Sequence, residues 1–236
     1  MLAKLLTSLF AKQGGASPAA LQRMAGGRAI DAYVASHPVR KLHLGAGAGS
    51  LDGWLSTDIS PLSERIVYLD ACEPFPIDDA AFDYVFSEHM IEHISWQAGA
   101  RMLDECFRIM KPGATIRVAT PDLAVLLALY TAPRDATAER YVRWITDRAL
   151  PEIGSYKPAF VINNAFRAWG HQFLYDAELL ETALVRAGFV SVRRCAYGES
   201  SDPHLRGIES HGHNVGDVAM VAFETMIFEA DKPRRA

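Results

Sequence analysis

The length, composition and charge of this sequence exclude several classes of protein. It has 236 residues, of which 50% are hydrophobic and 22% charged, a balance typical of a folded globular domain. A formal net charge of -4 lacks the basic excess of a nucleic-acid-binding surface, so we expect no nucleic-acid partner. No apolar run is long enough to span a bilayer, which argues against stable membrane insertion. The three dispersed cysteines fit reduced thiols, so we expect a cytoplasmic protein.

Residues 1–38 are predicted to form an N-terminal helical arm with a linker. Residues 2–12 place apolar side chains on one face of a short helix, residues 13–18 resemble a linker, and residues 18–36 are predicted to be helical. We expect the first helix to pack on the domain or on a second subunit, forming a homodimer. Docking on a membrane surface is the alternative.

Beyond residue 38, short apolar runs alternate with longer periodic segments, which predicts an α/β fold with a parallel sheet. Ser95 is the expected N-cap of a helix that follows the fourth strand, and Asp176 is that of a later helix. A helix is also expected to open at Pro121. The predicted strands are 40–44, 54–58, 66–70, 82–86, 115–119, 190–196 and 218–229. We assign 39–236 to one domain, with a helical insertion at 121–172 and a lid-like loop at 199–217.

A glycine-rich loop follows the first predicted strand, with Gly45, Gly47 and Gly49 at alternate positions. A dinucleotide-binding fold needs a helix after such a loop, and an acidic residue about 20 positions further on. Here Asp58 comes after 13 residues, and only about one helical turn fits before the second strand. This spacing disfavours a nucleotide-binding oxidoreductase and favours a ligand with an adenosine but no phosphate, such as S-adenosylmethionine.

Polar residues end several of the predicted strands. Asp58 ends the second strand, Asp70 the third, and Ser87 with Glu88 the fourth. Ligands of open α/β sheets bind outside the carboxyl ends of the strands, where these residues would meet. A carboxylate after the second strand can accept the ribose hydroxyls, and Asp70 is placed to contact the adenine.

These features resemble the class I S-adenosylmethionine-dependent methyltransferases, and in particular the type 11 group with a compact first loop. The stretches that carry the resemblance are 42–47, 53–58, 75–84, 92–93 and 108–113. It implies a Rossmann-like seven-stranded sheet whose last strand is antiparallel. It also implies a set of cofactor-binding residues: Gly45, Ala46, Gly47, Asp58, Ile59, Asp70, Ala71, Ser87, Glu88 and His89.

One position departs from the family pattern. Many members have an acidic residue where this chain has His43, and that acid helps to hold the cofactor's amine. The way in which this chain holds the amine is therefore open.

Methyl transfer needs alignment of the acceptor, and a base is useful for a hydroxyl or amine acceptor. His93 and His171 are the candidate catalytic residues. Polar side chains of the insertion and the loop favour a small polar acceptor, for which a sugar hydroxyl is our hypothesis. They are Asn163, Asn164, Arg167 and Arg206. The alternative function is a non-catalytic protein that binds the cofactor or a partner.

The sequence His89-Met90-Ile91-Glu92-His93 also matches the motif of inverted zinc peptidases. We disfavour that hypothesis because the motif directly follows a strand rather than lying within a helix. The histidines of the 199–217 loop are expected to be solvated. The sequence therefore predicts no metal site.

Overall fold

The computed structural model describes residues 17–234, and its centre is a seven-stranded sheet with the strand order β3-β2-β1-β4-β5-β7-β6. Strand β7 runs antiparallel to its neighbours β5 and β6, and the other pairs are parallel. The predicted Rossmann-like α/β class, with its last strand antiparallel, is confirmed. The strands are β1 Lys41–Leu44, β2 Leu55–Asp58, β3 Ile66–Tyr68, β4 Phe82–Glu88, β5 Met110–Pro121, β6 Val190–Cys195 and β7 Thr225–Asp231.

Helices flank the sheet, and most of them begin at a side chain that caps the first turn. Ser95 accepts a hydrogen bond from the Ala98 amide, and Asp176 accepts one from the Leu179 amide, as their positions before apolar periodic segments predicted. The helices are α1 Pro18–Ser36, α2 Trp96–Ile109, α3 Leu123–Thr131, α4 Ala136–Ala149, α5 Pro158–Arg167, α6 Ala177–Arg186, α7 His211–Val215 and α8 Val218–Glu224, with short 3-10 turns at Ile91–His93 and Pro151–Ile153.

Two predicted elements differ from the structure. The predicted strand 218–229 is wrong in its first half, because Asp217 caps a helix there and only Thr225–Asp231 joins the sheet. The helix predicted to open at Pro121 begins instead at Leu123, since Pro121 still pairs with Thr225 in the sheet. The predicted helix 2–12, and with it the dimer through the arm, lies outside the described residues.

The connection between β1 and β2 decides how one face of the sheet is covered. Residues 45–54 contain turns and no helix, so the usual layer after the first strand is missing there. Segment 199–217 takes its place. Its Leu205 is fully buried against Trp54 and Phe86, and its Asp202 accepts a hydrogen bond of 2.8 Å from the Tyr84 hydroxyl. The expected lid is therefore packed on the sheet over much of its length.

A buried ion network fastens the same segment to the sheet. Arg117 of β5 is fully buried; its Nε donates to Glu209 at 2.6 Å and its Nη1 donates to Glu229 of β7 at 2.7 Å. Arg193 supplies Glu229 with a second cationic partner at 2.9 Å. Glu209 lies one residue before Ser210, so this network sets the position of the helix α7 that follows.

The segment after β5 forms its own apolar cluster above the carboxyl edge of the sheet. Helices α3, α4, α5 and α8 share this cluster, in which Leu126, Tyr141 and Val161 are almost fully buried. The main core lies on the sheet face opposite segment 199–217. Among residues 17–234, none of the helices has both the length and the apolar character needed to cross a membrane.

Candidate active site

A cleft of about 450 Å³ opens where strands β1 to β4 end. This size lies within the usual range of about 300–1,000 Å³ for small-molecule sites. Its wall is formed by Leu44, Gly45, Gly47, Asp58, Ile59, Leu69, Asp70, Ala71, Cys72, His89, Met90, His93, Ile94 and Gln172.

The glycine loop forms one end of the cleft. Gly45 has a φ of +69°, and a Cβ there would come within 2.1 Å of Met90 Cγ, so the position requires glycine. Gly47 has a φ of +56°, and the space where a Cβ would stand is open. Its amide donates a hydrogen bond of 2.9 Å to the Asp58 carboxylate, which ties the loop to the end of β2.

Two carboxylates lie in the wall of this cleft. Asp58 accepts from the amides of Gly47 and Ser60, and Asp70 accepts from the Cys72 amide at 2.9 Å. A carboxylate oxygen accepts more than one hydrogen bond, so both groups can still accept from ribose or adenine donors. The two carboxylates, and the lack of a helix N-terminus in residues 45–54, make the cleft a poor site for phosphate and a suitable one for an uncharged adenosine.

A second cavity of about 330 Å³ adjoins the cleft, and His89 and His93 belong to both walls. The sheet edge, the helices after β5 and helix α7 all contribute to it. Its other residues are Glu92, Pro121, Leu126, Trp144, Ile145, Arg148, Ala165, Trp169, His171, His211, Val215 and Glu224.

Four histidines and a buried carboxylate meet in the second cavity. The rings of His89 and His211 stack at 4.3 Å, and those of His93 and His171 meet edge to face at 4.8 Å. Between the two pairs lies Glu92, which is fully buried. Its Oε1 is 3.3 Å from His89 Nδ1, and its Oε2 accepts from the Thr120 hydroxyl at 3.0 Å.

Burial and charge shift the pKa values of His89, His171 and His211 in different directions. Burial lowers the pKa of His211 to about 4, and burial also lowers the pKa of His171. Burial opposes the charged form of His89 too, but the neighbouring carboxylate of Glu92, 3.3 Å away, outweighs it and raises the pKa of His89. Neutral imidazoles thus line the cavity on the sides of His171 and His211.

His43 stands where the family pattern has an acid, and it is buried at 3% exposure. Its ring stacks on Phe86 with centroids 5.2 Å apart, and burial lowers its pKa to about 4. A neutral, packed imidazole at this position cannot attract a cationic amine.

The structure places some of the predicted site residues in the two walls and others elsewhere. Gly45, Gly47, Asp58, Ile59, Asp70, Ala71 and His89 line the cleft, and His93 and His171 line the second cavity. Ala46, Ser87 and Glu88 are buried beside the cleft rather than in its wall.

The predicted substrate-binding residues lie outside the second cavity. Asn163 and Arg167 are exposed on α5, where Ala165 is the residue that reaches the wall, and Asn164 is buried in that helix. Arg206 is exposed and donates to the Ser200 carbonyl. These assignments assumed that the polar side chains of a segment face its pocket, but the apolar face of the amphipathic helix does so here.

The sequence did not indicate Glu92, His211 and Glu224 as site residues, although all three line the second cavity. Glu92 was visible in the motif at 89–93, but Glu224 was assigned to a strand and His211 to a solvated loop. Trp144 and Arg148 also line the cavity, and their spacing of four residues within the predicted helical insertion 121–172 would place them on one helix face.

Residues 42–118 match a protein family described as a methyltransferase domain. The strand order found above, with a reversed seventh strand between β5 and β6, agrees with the architecture that the resemblance implied. Residues 42–118 therefore belong to a class I methyltransferase domain. The cofactor of this domain is S-adenosylmethionine, and the cleft at the ends of β1 to β4 fits it. Membership of the compact subgroup stays a prediction.

The chain is also similar to solved methyltransferase structures. An S-adenosylmethionine-dependent methyltransferase from Archaeoglobus fulgidus is 16% identical, with a TM-score of 0.47 over 89% of this chain and 94% of that one. One from Mesorhizobium loti is 15% identical, with a TM-score of 0.48 over 85% and 96%. No curated protein sequence matches the chain. At these scores the neighbours carry no argument about substrate.

Proposed function

We propose that this protein transfers the methyl group of S-adenosylmethionine to a small polar acceptor bound in the second cavity. The observation that carries the proposal is that His89 and His93 belong to the walls of both the cleft and the second cavity. A donor and an acceptor bound on the two sides would meet there. Holding two reactants in contact supplies much of the rate enhancement of such a displacement.

His171 and His93 are the residues that we propose for handling the acceptor's proton. His171 Nδ1 lies 2.7 Å from the Ala165 carbonyl, and a carbonyl can only accept, so Nδ1 carries the hydrogen. Nε2 is then an unprotonated acceptor in the cavity wall. His93 lies against the same ring and faces the cofactor side as well.

Among polar acceptors we propose a sugar hydroxyl. Trp144 and Trp169 give the cavity aromatic surface that can pack on the apolar face of a sugar ring. Glu92 and Glu224 supply buried carboxylates that can accept hydrogen bonds from its hydroxyls. Burial raises the pKa of Glu224, and the Tyr141 hydroxyl donates a hydrogen bond to it.

Glu88 is our candidate for the cofactor's amine in place of an acid at position 43. His43 pairs with Phe86 across β1 and β4, so Glu88 lies on the same sheet face two residues further toward the cleft. The amides of Ser210 and His211 donate to its Oε2. Its Oε1 is buried without a hydrogen-bond partner within residues 17–234 and can accept from an ammonium group.

Isotopically labelled cofactor tests the proposed function, with mass spectrometry of sugar, amine and carboxylate acceptors. We expect label in a hydroxyl acceptor. If His171 takes its proton, His171→Ala should lower turnover by roughly 10²–10⁴ with cofactor affinity unchanged. His213→Ala, at an exposed position of α7, is the matched control and should have normal turnover. Cofactor binding without turnover on any acceptor would favour the non-catalytic alternative.

A further inference from the structure

Glu92, His93 and His171 come together in the second cavity although the sequence predicted no metal site. One ligand atom from each of the three lies within 4.8 Å of the others. We propose that these residues bind a divalent transition-metal ion such as Zn²⁺. Two imidazoles and one carboxylate are a recurrent ligand set for zinc and for non-haem iron sites.

The Glu92 carboxylate has one oxygen that is available to a metal ion. Glu92 is fully buried, and its Oε1 has no well-formed hydrogen bond among the described residues, only the contact of 3.3 Å with His89. Its Oε2 is fixed by the Thr120 hydroxyl. Because this long contact is the only one that Oε1 makes among the described residues, the oxygen can bind a cation without giving up a well-formed hydrogen bond.

His171 is oriented as metal-binding histidines usually are. Its Nδ1 donates to the Ala165 carbonyl at 2.7 Å, which fixes the ring and leaves the Nε2 lone pair for a ligand. Such an outer hydrogen bond to a carbonyl or carboxylate is a regular feature of histidines that bind metals.

The backbone holds the two ligand segments together before any ion binds. The amides of Gln172 and Phe173 donate to the Glu92 carbonyl at 2.8 and 3.2 Å, and the Gln172 side chain donates to the His93 carbonyl at 2.8 Å. Metal–ligand bonds of about 2.0–2.2 Å separate neighbouring ligand atoms by roughly 3 Å. The three side chains would therefore move closer together when an ion binds, from the present separation of up to 4.8 Å.

The ion would have protein ligands on one side and the second cavity on the other. An acceptor oxygen entering the cavity could then complete its coordination, and a bound metal ion lowers the pKa of such a hydroxyl. The lone pairs of His93 and His171 would be used by the ion, so the proton would leave to solvent instead of to these imidazoles. This role for the ion rests on the proposed function, whereas metal binding itself does not.

The test uses full-length protein treated with chelator and then titrated with Zn²⁺ by calorimetry and with Co²⁺ by visible absorption. We expect one ion per chain, a rise in melting temperature, and Co²⁺ bands in the visible range. Glu92→Gln, His93→Ala and His171→Ala should each weaken binding by about 100-fold or more, since each removes a ligand. His213→Ala should bind normally.

Circular dichroism of each metal-free variant verifies that it folds. If a variant does not fold, the Co²⁺ spectrum of the unchanged protein tests whether histidine and carboxylate ligands bind the ion. No saturable binding, or binding that persists in all three ligand variants, would overturn the proposal. Absence of binding would leave methyl transfer with His171 as the base. Saturable metal binding by a protein that transfers no methyl group would support the metal site and contradict the proposed function.

Discussion

Replacement of Arg117 by alanine tests how segment 199–217 is held on the sheet. The side chains of Arg117 and Glu209 are 0% and 1% exposed, so the substitution leaves the Glu209 carboxylate buried without its cation. Glu229 keeps Arg193 as a cationic partner at 2.9 Å, so its burial remains partly compensated. Removing one partner of a buried ion pair costs about 3–5 kcal/mol. That is a large part of the roughly 5–15 kcal/mol that stabilises a typical domain.

Urea unfolding followed by tryptophan fluorescence measures the loss for Arg117→Ala. The matched control is Arg134→Ala, whose pair with Glu139 is partly exposed at 29% and 44%, and which should cost no more than about 1 kcal/mol. Adding Glu209→Gln to Arg117→Ala should recover part of the loss, because it removes the stranded charge. A loss below about 1 kcal/mol for Arg117→Ala, equal to that of the control, would refute the assigned role of the network.

Two further predictions use single substitutions. A Cβ at Gly26 would lie 2.5 Å from the Tyr68 carbonyl oxygen, so Gly26→Ala should destabilise by about 1–3 kcal/mol, whereas Gly27→Ala, with open space around it, should stabilise α1 by about 0.5–1 kcal/mol. Thermal unfolding separates the two, and equal effects would contradict the packing. Glu88→Gln should weaken S-adenosylmethionine binding by about 10- to 100-fold if its charge binds the amine as proposed, and unchanged affinity in calorimetry would assign the amine to another group.

Much of the fold could be predicted because its signals are local. Parallel strands bounded by turns alternate with periodic helices, and caps such as Ser95 and Asp176 stand directly before their helices. The cofactor cleft followed from the same signals, since the ends of consecutive parallel strands meet at one edge. The strand predicted over 218–229 was wrong in its first half because a buried short helix and a buried strand have similar apolar composition. Only the N-cap residue Asp217 indicates the helix.

The rest depends on contacts between residues that are far apart in the chain. No residue near Glu209 in the sequence indicates that Arg117 will bind it, so the packing of segment 199–217 on the sheet could not be predicted. The motif 89–93 contains two of the three proposed metal ligands, Glu92 and His93. His89, however, has a φ of +46° and lies outside a helix, so the peptidase geometry does not form. His171 completes the group through backbone hydrogen bonds that no local pattern predicts.

Calorimetry with S-adenosylhomocysteine and NAD, on the unchanged protein and on Asp58→Ala, tests the central claim most directly. The cleft predicts saturable binding of S-adenosylhomocysteine and much weaker binding of NAD, because residues 45–54 provide no helix N-terminus for a pyrophosphate. Asp58→Ala should reduce the binding free energy by about 1–3 kcal/mol while the protein stays folded. Tight binding of NAD, with no response to S-adenosylhomocysteine, would contradict the account.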